Sequence, residues 1–141
     1  MSESALIGID LGKHSFHLHG QDKSSREVFR KKLSRPQMMH FFGNLPSCVV
    51  VMEACAGAHF VARQLTAMGH TAKLISPQFV RPFVKGNKND FVDAEAICEA
   101  ASRPSMRFVT PKTEAQQTLS VLHRMRESLV HDRTKTVNQM H

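Results

Sequence analysis

A chain of 141 residues, 41% hydrophobic, has room for one buried core and an additional helical arm. Nineteen Lys and Arg against twelve Asp and Glu leave a net charge of +7, which suits a polyanionic partner as well as a merely basic soluble protein. No run approaches the ~18 apolar residues of a membrane span, and three cysteines, an odd count without C-x-x-C spacing, argue for reduced thiols in a cytosolic protein.

The opening residues, with Glu3 and no long apolar run, do not read as a signal peptide, and the expected compartment is the cytoplasm, in association with the nucleoid. Nine Phe and no Trp or Tyr leave Phe and His as the only rings available for stacking.

The first run, ALIGIDL at residues 5–11, is short, apolar and closed by Gly12, which predicts a buried strand ending on Asp10. Residues 14–20 alternate, with Phe16 and Leu18 on one side and His17 and His19 on the other. A polar turn leads to a third strand over 26–33, and the short connections predict an antiparallel meander. Ser34 caps a helix with Pro36 in its first turn and Met38, Met39, Phe41 and Phe42 as its apolar side.

The β-branched run CVVVM at 48–52 predicts a fourth strand ending at Glu53. A helix over 58–68 stops at Gly69, a fifth strand spans 71–75, and a short helix or turn covers 77–84. A basic loop holding Lys85 and Lys88 precedes a helix over 90–101, with Asp90 as its cap or first-turn residue. Residues 103–111 read as a link. From Thr113 a long helix carries Leu119, Leu122, Met125, Leu129, Val137 and Met140 at spacings of three and four, with one gap.

The element order predicts an α/β protein with an RNase H-like mixed five-stranded sheet, flanking helices and a long C-terminal helix. Right-handed crossovers place the fourth strand beside the first, in order 3-2-1-4-5. The expected division is a domain over 1–110 and the start of a helical linker or coiled-coil arm over 111–141.

That topology brings Asp10 and Glu53 to the carboxyl ends of adjacent parallel strands, where open sheets build sites. Asp90 and Asp93 are three apart and share a helix face. Singly, Asp10 also reads as a turn cap before Gly12 and Asp90 as a helix cap. Jointly, four acids repel one another unless a hard cation joins them, and Mg²⁺, with Mn²⁺ as a substitute, suits oxygen ligands and phosphoryl transfer. Glu95 and Glu99 follow at helical spacing and are expected to face solvent.

The segments IGIDLGKHSF, VVMEACAGAHF and VKGNKNDFVDAEAICEAASRPSMRFV, followed by the Gln116–Gln117 helix, resemble the N-terminal half of the DEDD transposases of the insertion-sequence-110 family, closest to the 1111 subgroup. The resemblance covers nearly the whole chain, and its K-N-D-x-x-D-A-E-A-I block is far more specific than I-D-L-G.

It implies a domain like the RuvC Holliday-junction resolvase, with catalytic and metal-binding roles for Asp10, Glu53, Asp90 and Asp93. It further implies Mg²⁺-dependent DNA strand cleavage and exchange, guided in the full-length protein by an RNA. Family members continue into a second domain that supplies a serine nucleophile. None of Ser2, Ser76 or Ser102 lies in a matching motif, and the chain, ending at His141 inside the linking helix, reads as a fragment.

Lys13, Arg81, Lys85, Lys88, Arg103 and Arg107 lie near these acids in sequence and are the expected nucleic-acid contacts, with a solvated loop as the alternative. The C-terminal helix is the expected surface for homo-oligomerisation. His17 and His19 are expected to be a packed or partly exposed pair, and Met38 and Met39 core filler. Competing readings are a branched-DNA resolvase, a non-catalytic nucleic-acid-binding module, and an ATPase or sugar kinase sharing IGIDLG, for which no second phosphate motif is present.

Overall fold

Strand β1 (Leu6–Leu11) alternates Ile7 and Ile9 on one face with Leu6, Gly8 and Asp10 on the other, so the sheet it founds must be covered twice. The computed structural model describes residues 5–12, 14–85 and 91–139, with side chains as far as residue 128. Strands β2 (Phe16–Gln21) and β3 (Glu27–Leu33) complete an antiparallel meander with β1. Ser25, at φ 63, and two hydrogen bonds to the Asp22 carboxylate shape the β2–β3 turn.

Helix α1 (Arg35–Gly43) starts on a reciprocal cap. The Ser34 hydroxyl accepts from the Gln37 amide, and the Gln37 side chain accepts from the Ser34 amide. Strand β4 (Val49–Glu53) returns parallel to β1, helix α2 (Ala56–Ala67) crosses over, and β5 (Thr71–Ile75) pairs parallel to β4. Gly69, at φ +98, turns α2 into β5 in a conformation that a side chain would strain.

The short helix α3 (Pro77–Val80) and a 3₁₀ turn (Arg81–Phe83) follow. Helix α4 (Val92–Ala101) then lies on the sheet. Its N-cap is Phe91, which makes no side-chain capping bond, and Asp90 lies outside the described residues.

Among the described residues the sheet has six strands, in order 3-2-1-4-5-6, one more than expected. The addition is β6 (Phe108–Val109), antiparallel to β5, inside the segment read as a link. Two residues carry no usable alternation; only the free edge of β5 turns them into a strand. The Lys73 ammonium stands 4.8 Å from the Phe108 ring and fastens that edge.

One face of the sheet packs Ile7, Ile9, Leu18, Val50, Met52 and Leu74 against α1 and α2, through Met38, Phe42, Val61 and Leu65. The buried His70 ring ties this layer together. Its Nδ1 accepts from the Cys48 amide and its Nε2 lies 2.7 Å from the Phe42 carbonyl. The other face packs Val51 and Ile75 against Val80, Ala96, Ile97 and Ala100.

The chain divides into two units, Met1–Pro111 and Lys112–His141. The second is helix α5 (Glu114–Gln139), which opens on a Thr113–Gln116 capping box. It leaves Leu119, Leu122 and Met125 each more than half exposed. Among the described residues no helix is long and apolar enough to cross a membrane.

Helix α4 can lie this close to β1 because residue 8 has no side chain. A Cβ there would stand 2.6 Å from the Ala94 carbonyl oxygen and 2.8 Å from the Cys98 sulfur. Gly8→Ala should therefore cost about 1–3 kcal/mol through overpacking. Gly43→Ala, where a Cβ meets nothing within 4 Å, should be neutral or slightly stabilising. Urea denaturation of the two variants checks the contrast; equal midpoints would show that α4 does not depend on the glycine.

Candidate active site at the carboxyl edge of the sheet

The parallel register aligns Ile9 with Met52, so Asp10 and Glu53 come next on their strands, side by side at the carboxyl edge. Both are half-buried, while Asp93, in the first turn of α4, is exposed. The close seat of α4 over Gly8 sets Asp93 within electrostatic reach of both strand acids.

Burial raises the Asp10 pKa, and the Asp93 charge raises it further, while His17 opposes the shift. Burial likewise raises Glu53, with Asp10 and Asp93 adding to it and Arg81 opposing. Three of the four acids singled out in the sequence thus meet in one place; Asp90 is outside the described residues, as are Lys13 and Lys88.

Among the described residues no three His, Cys, Asp or Glu side chains form a ready metal cage. The donor chemistry nevertheless fits a hard cation. The donors are all carboxylate oxygens, and each strand acid is destabilised in its charged form by the others, a condition that a divalent ion would reverse.

The basic residues fall into two groups. Arg81 lies within electrostatic reach of Glu53 and opposes its upward shift. Lys85 and Arg103 line a polar cleft of about 390 Å³ with Gln21, Ser25, Glu95 and Glu99, a lining that includes none of Asp10, Glu53 and Asp93. Glu95 and Glu99 do not simply face solvent. Glu95 pairs with Lys85 at 3.1 Å and with Arg30 at 3.8 Å, and Glu99 pairs with Arg103 at 3.5 Å. Such solvent-exposed pairs are screened and weak, so a phosphate could displace either acid cheaply. Arg107 is exposed.

His17 is partly exposed, within the packed or partly exposed pair expected from the sequence, but its place beside Asp10 was not foreseen. The β1–β2 register sets it opposite Asp10. Its Nε2 is buried with no hydrogen-bond partner among the described residues, and Phe91 packs edge-on at 5.3 Å. His19 does pack, buried beside Gln21 and beneath Cys98, whose thiol bonds to the His19 carbonyl. Counting the β1–β2 hairpin pairs outward from Leu11 and Phe16 was the signal that could have brought His17 to Asp10.

Comparison with known proteins decides the family. A transposase family, the DEDD transposases of the IS110 type, matches residues 7–141. The chain belongs to that family. It is 62% identical over its whole length to the transposase for insertion sequence element IS1328 of Yersinia enterocolitica, covering 42% of that protein.

Over 134 residues it is 53% identical to a probable family 20 transposase of Pseudomonas aeruginosa, a match covering 95% of this chain and 40% of that one. It is 43% identical to the transposase for insertion sequence element IS1111A of Coxiella burnetii over 140 residues, 99% of this chain and 38% of that one. The chain spans about two fifths of the length of the curated relatives it matches.

The raised carboxyls have a definite sign in stability. A carboxyl raised in the native state favours folding most when protonated, and that contribution is lost as pH rises from the ordinary carboxylate range through the native pKa. In metal-free buffer Asp10→Asn should therefore melt at or above the unsubstituted chain at neutral pH. The gap should close as pH falls toward about 4. Melting curves over this range with a chelator provide the check; a variant less stable at neutral pH would mean that the Asp10 charge stabilises the fold.

Proposed function

We propose that the chain is the N-terminal catalytic domain of a DEDD transposase. In this reading the whole protein cleaves and exchanges DNA strands with Mg²⁺, on sites selected by a guide RNA. The observation that carries it is the meeting of Asp10, Glu53 and Asp93, from two parallel strands and one helix, in a chain of the transposase family.

These three acids, with Asp90, would hold the divalent ion, which when bound supplies charge neutralisation and Lewis-acid activation at a phosphodiester. The strand acids are rigid because their backbones are paired in the sheet, so they orient a phosphate without reorganising. Arg81, within electrostatic reach of Glu53, offsets part of the negative charge that the site and a phosphate would share. The unpartnered Nε2 of His17 offers one hydrogen bond to a group beside Asp10. No nucleophile is assigned within this chain; the family resemblance puts a serine in the second domain.

Lys13, Lys88, Lys85, Arg103 and Arg107 serve in this reading as further phosphate contacts. Helix α5 pairs with the same helix of a second copy, which would cover Leu119, Leu122 and Met125 and bring two carboxylate sites to one DNA.

Two measurements test this. Mg²⁺ or Mn²⁺ at about a hundred times its dissociation constant should stabilise the chain by about 2.7 kcal/mol, a response that Asp10→Asn and Asp93→Asn each weaken. A melting temperature indifferent to divalent ions would remove the metal site. Light scattering after size-exclusion chromatography should show a dimer that becomes a monomer when Leu119, Leu122 and Met125 are changed together to Gln. A dimer that survives would move the interface off the helix.

A further inference from the structure

Between Glu27 and Asp90 the sequence contains a single carboxylate, Glu53, against nine Lys and Arg. Helices α1 and α2 fall entirely within that stretch and hold no acid at all. The outer layer of this side of the sheet is therefore positive with nothing in its own helices to neutralise it.

An exposed ring sits in that layer. Phe60, on the second turn of α2, remains 41% exposed although the rest of its helix buries Ala58, Val61, Ala62 and Leu65. The Arg35 guanidinium stands 5.8 Å from the Phe60 ring centre and 5.8 Å from that of Phe16, and the Arg63 guanidinium stands 6.0 Å from Phe60. An arginine-flanked aromatic surface of this sort does little for the core. It is what stacks an unpaired base while the cations meet the adjoining phosphates.

The position is specific. Phe16 pairs with Leu11 on one side and Leu33 on the other, so Arg35, two residues past Leu33, is at the edge where β1 ends. Helix α2 begins three residues after Glu53. The patch and the carboxylates thus share the carboxyl edge, on its two faces.

We infer that Phe60, with Arg35 and Arg63, is a stacking platform for an unpaired nucleotide of the strand that reaches the carboxylate site. The inference rests on the nucleic-acid reading above and adds to it a residue-level site for single-stranded chain. A base within a duplex has no free face to offer Phe60, so the platform selects unpaired strand over duplex.

The absence of tryptophan supplies the probe. Phe60→Trp introduces the only indole, and its fluorescence should be quenched by unstructured 12-nucleotide single strands but not by a 12-base-pair duplex. Phe60→Leu, which keeps the surface apolar, should lower single-strand affinity roughly 5- to 150-fold and leave duplex affinity unchanged. Arg35→Gln with Arg63→Gln should lower single-strand affinity as well.

DNA and RNA 12-mers run in parallel identify which strand the platform prefers. Unchanged single-strand affinity in Phe60→Leu, or quenching by duplex equal to that by single strand, would overturn the platform. In that case salt-dependent duplex binding by the unsubstituted chain would still support the nucleic-acid reading. Failure of the unsubstituted chain to bind either form would overturn both.

Discussion

Everything at the carboxyl edge depends on how closely α4 approaches β1. A helix normally rides on a sheet with side chains between the two backbones, but here Ala94 and Cys98 meet a glycine, and the space a Cβ would need is already taken. That contact fixes the height and rotation of α4. Asp93, one residue before Ala94, is thereby carried over the ends of β1 and β4. The buried face of α4 is small-residue-rich for the same reason, with Ala94, Ala96 and Ala100 alongside Ile97 and Cys98. Burial also explains why the Cys98 thiol is pushed up to about 12 and stays an inert packing group.

The price of the arrangement is electrostatic. Asp10 and Glu53 lose half their solvent and gain each other, and Asp93 adds a third negative charge. In an unliganded chain this destabilises the fold locally, and His17 and Arg81 offset only part of it. Sites that hold a repulsive cluster in place are suited to a cation whose binding relieves the repulsion, so affinity for the ion and strain in its absence have one origin.

Charge is also sorted by face. The Glu95 and Glu99 carboxylates of α4 meet Arg30, Lys85 and Arg103, so the α4 side of the sheet pairs these cations with its own acids. The α1–α2 side has no such partners within its helices, and its cations Lys31 and Arg35 lie over phenylalanine rings instead. A polyanion approaching the domain would find the two sides chemically unlike: one where phosphates must displace acids, and one where rings and guanidinium groups are presented together.

Much of this was readable before any coordinates. Apolar runs closing on Asp10 and Glu53, the Ser34 cap and the order of strands and helices specify five strands and their neighbours, because alternation and crossover handedness are local or nearly local rules. The family motif marked the acids themselves. Three things were decided only by the tertiary structure. Phe108 and Val109 became a strand because β5 had an open edge, a fact that resides in β5 and not in those two residues. His17 joined Asp10 because a hairpin register, not a spacing along the chain, sets who faces whom. Phe60 stayed exposed between two arginines, one of them Arg35 of α1, a neighbour that no periodicity within α2 reveals.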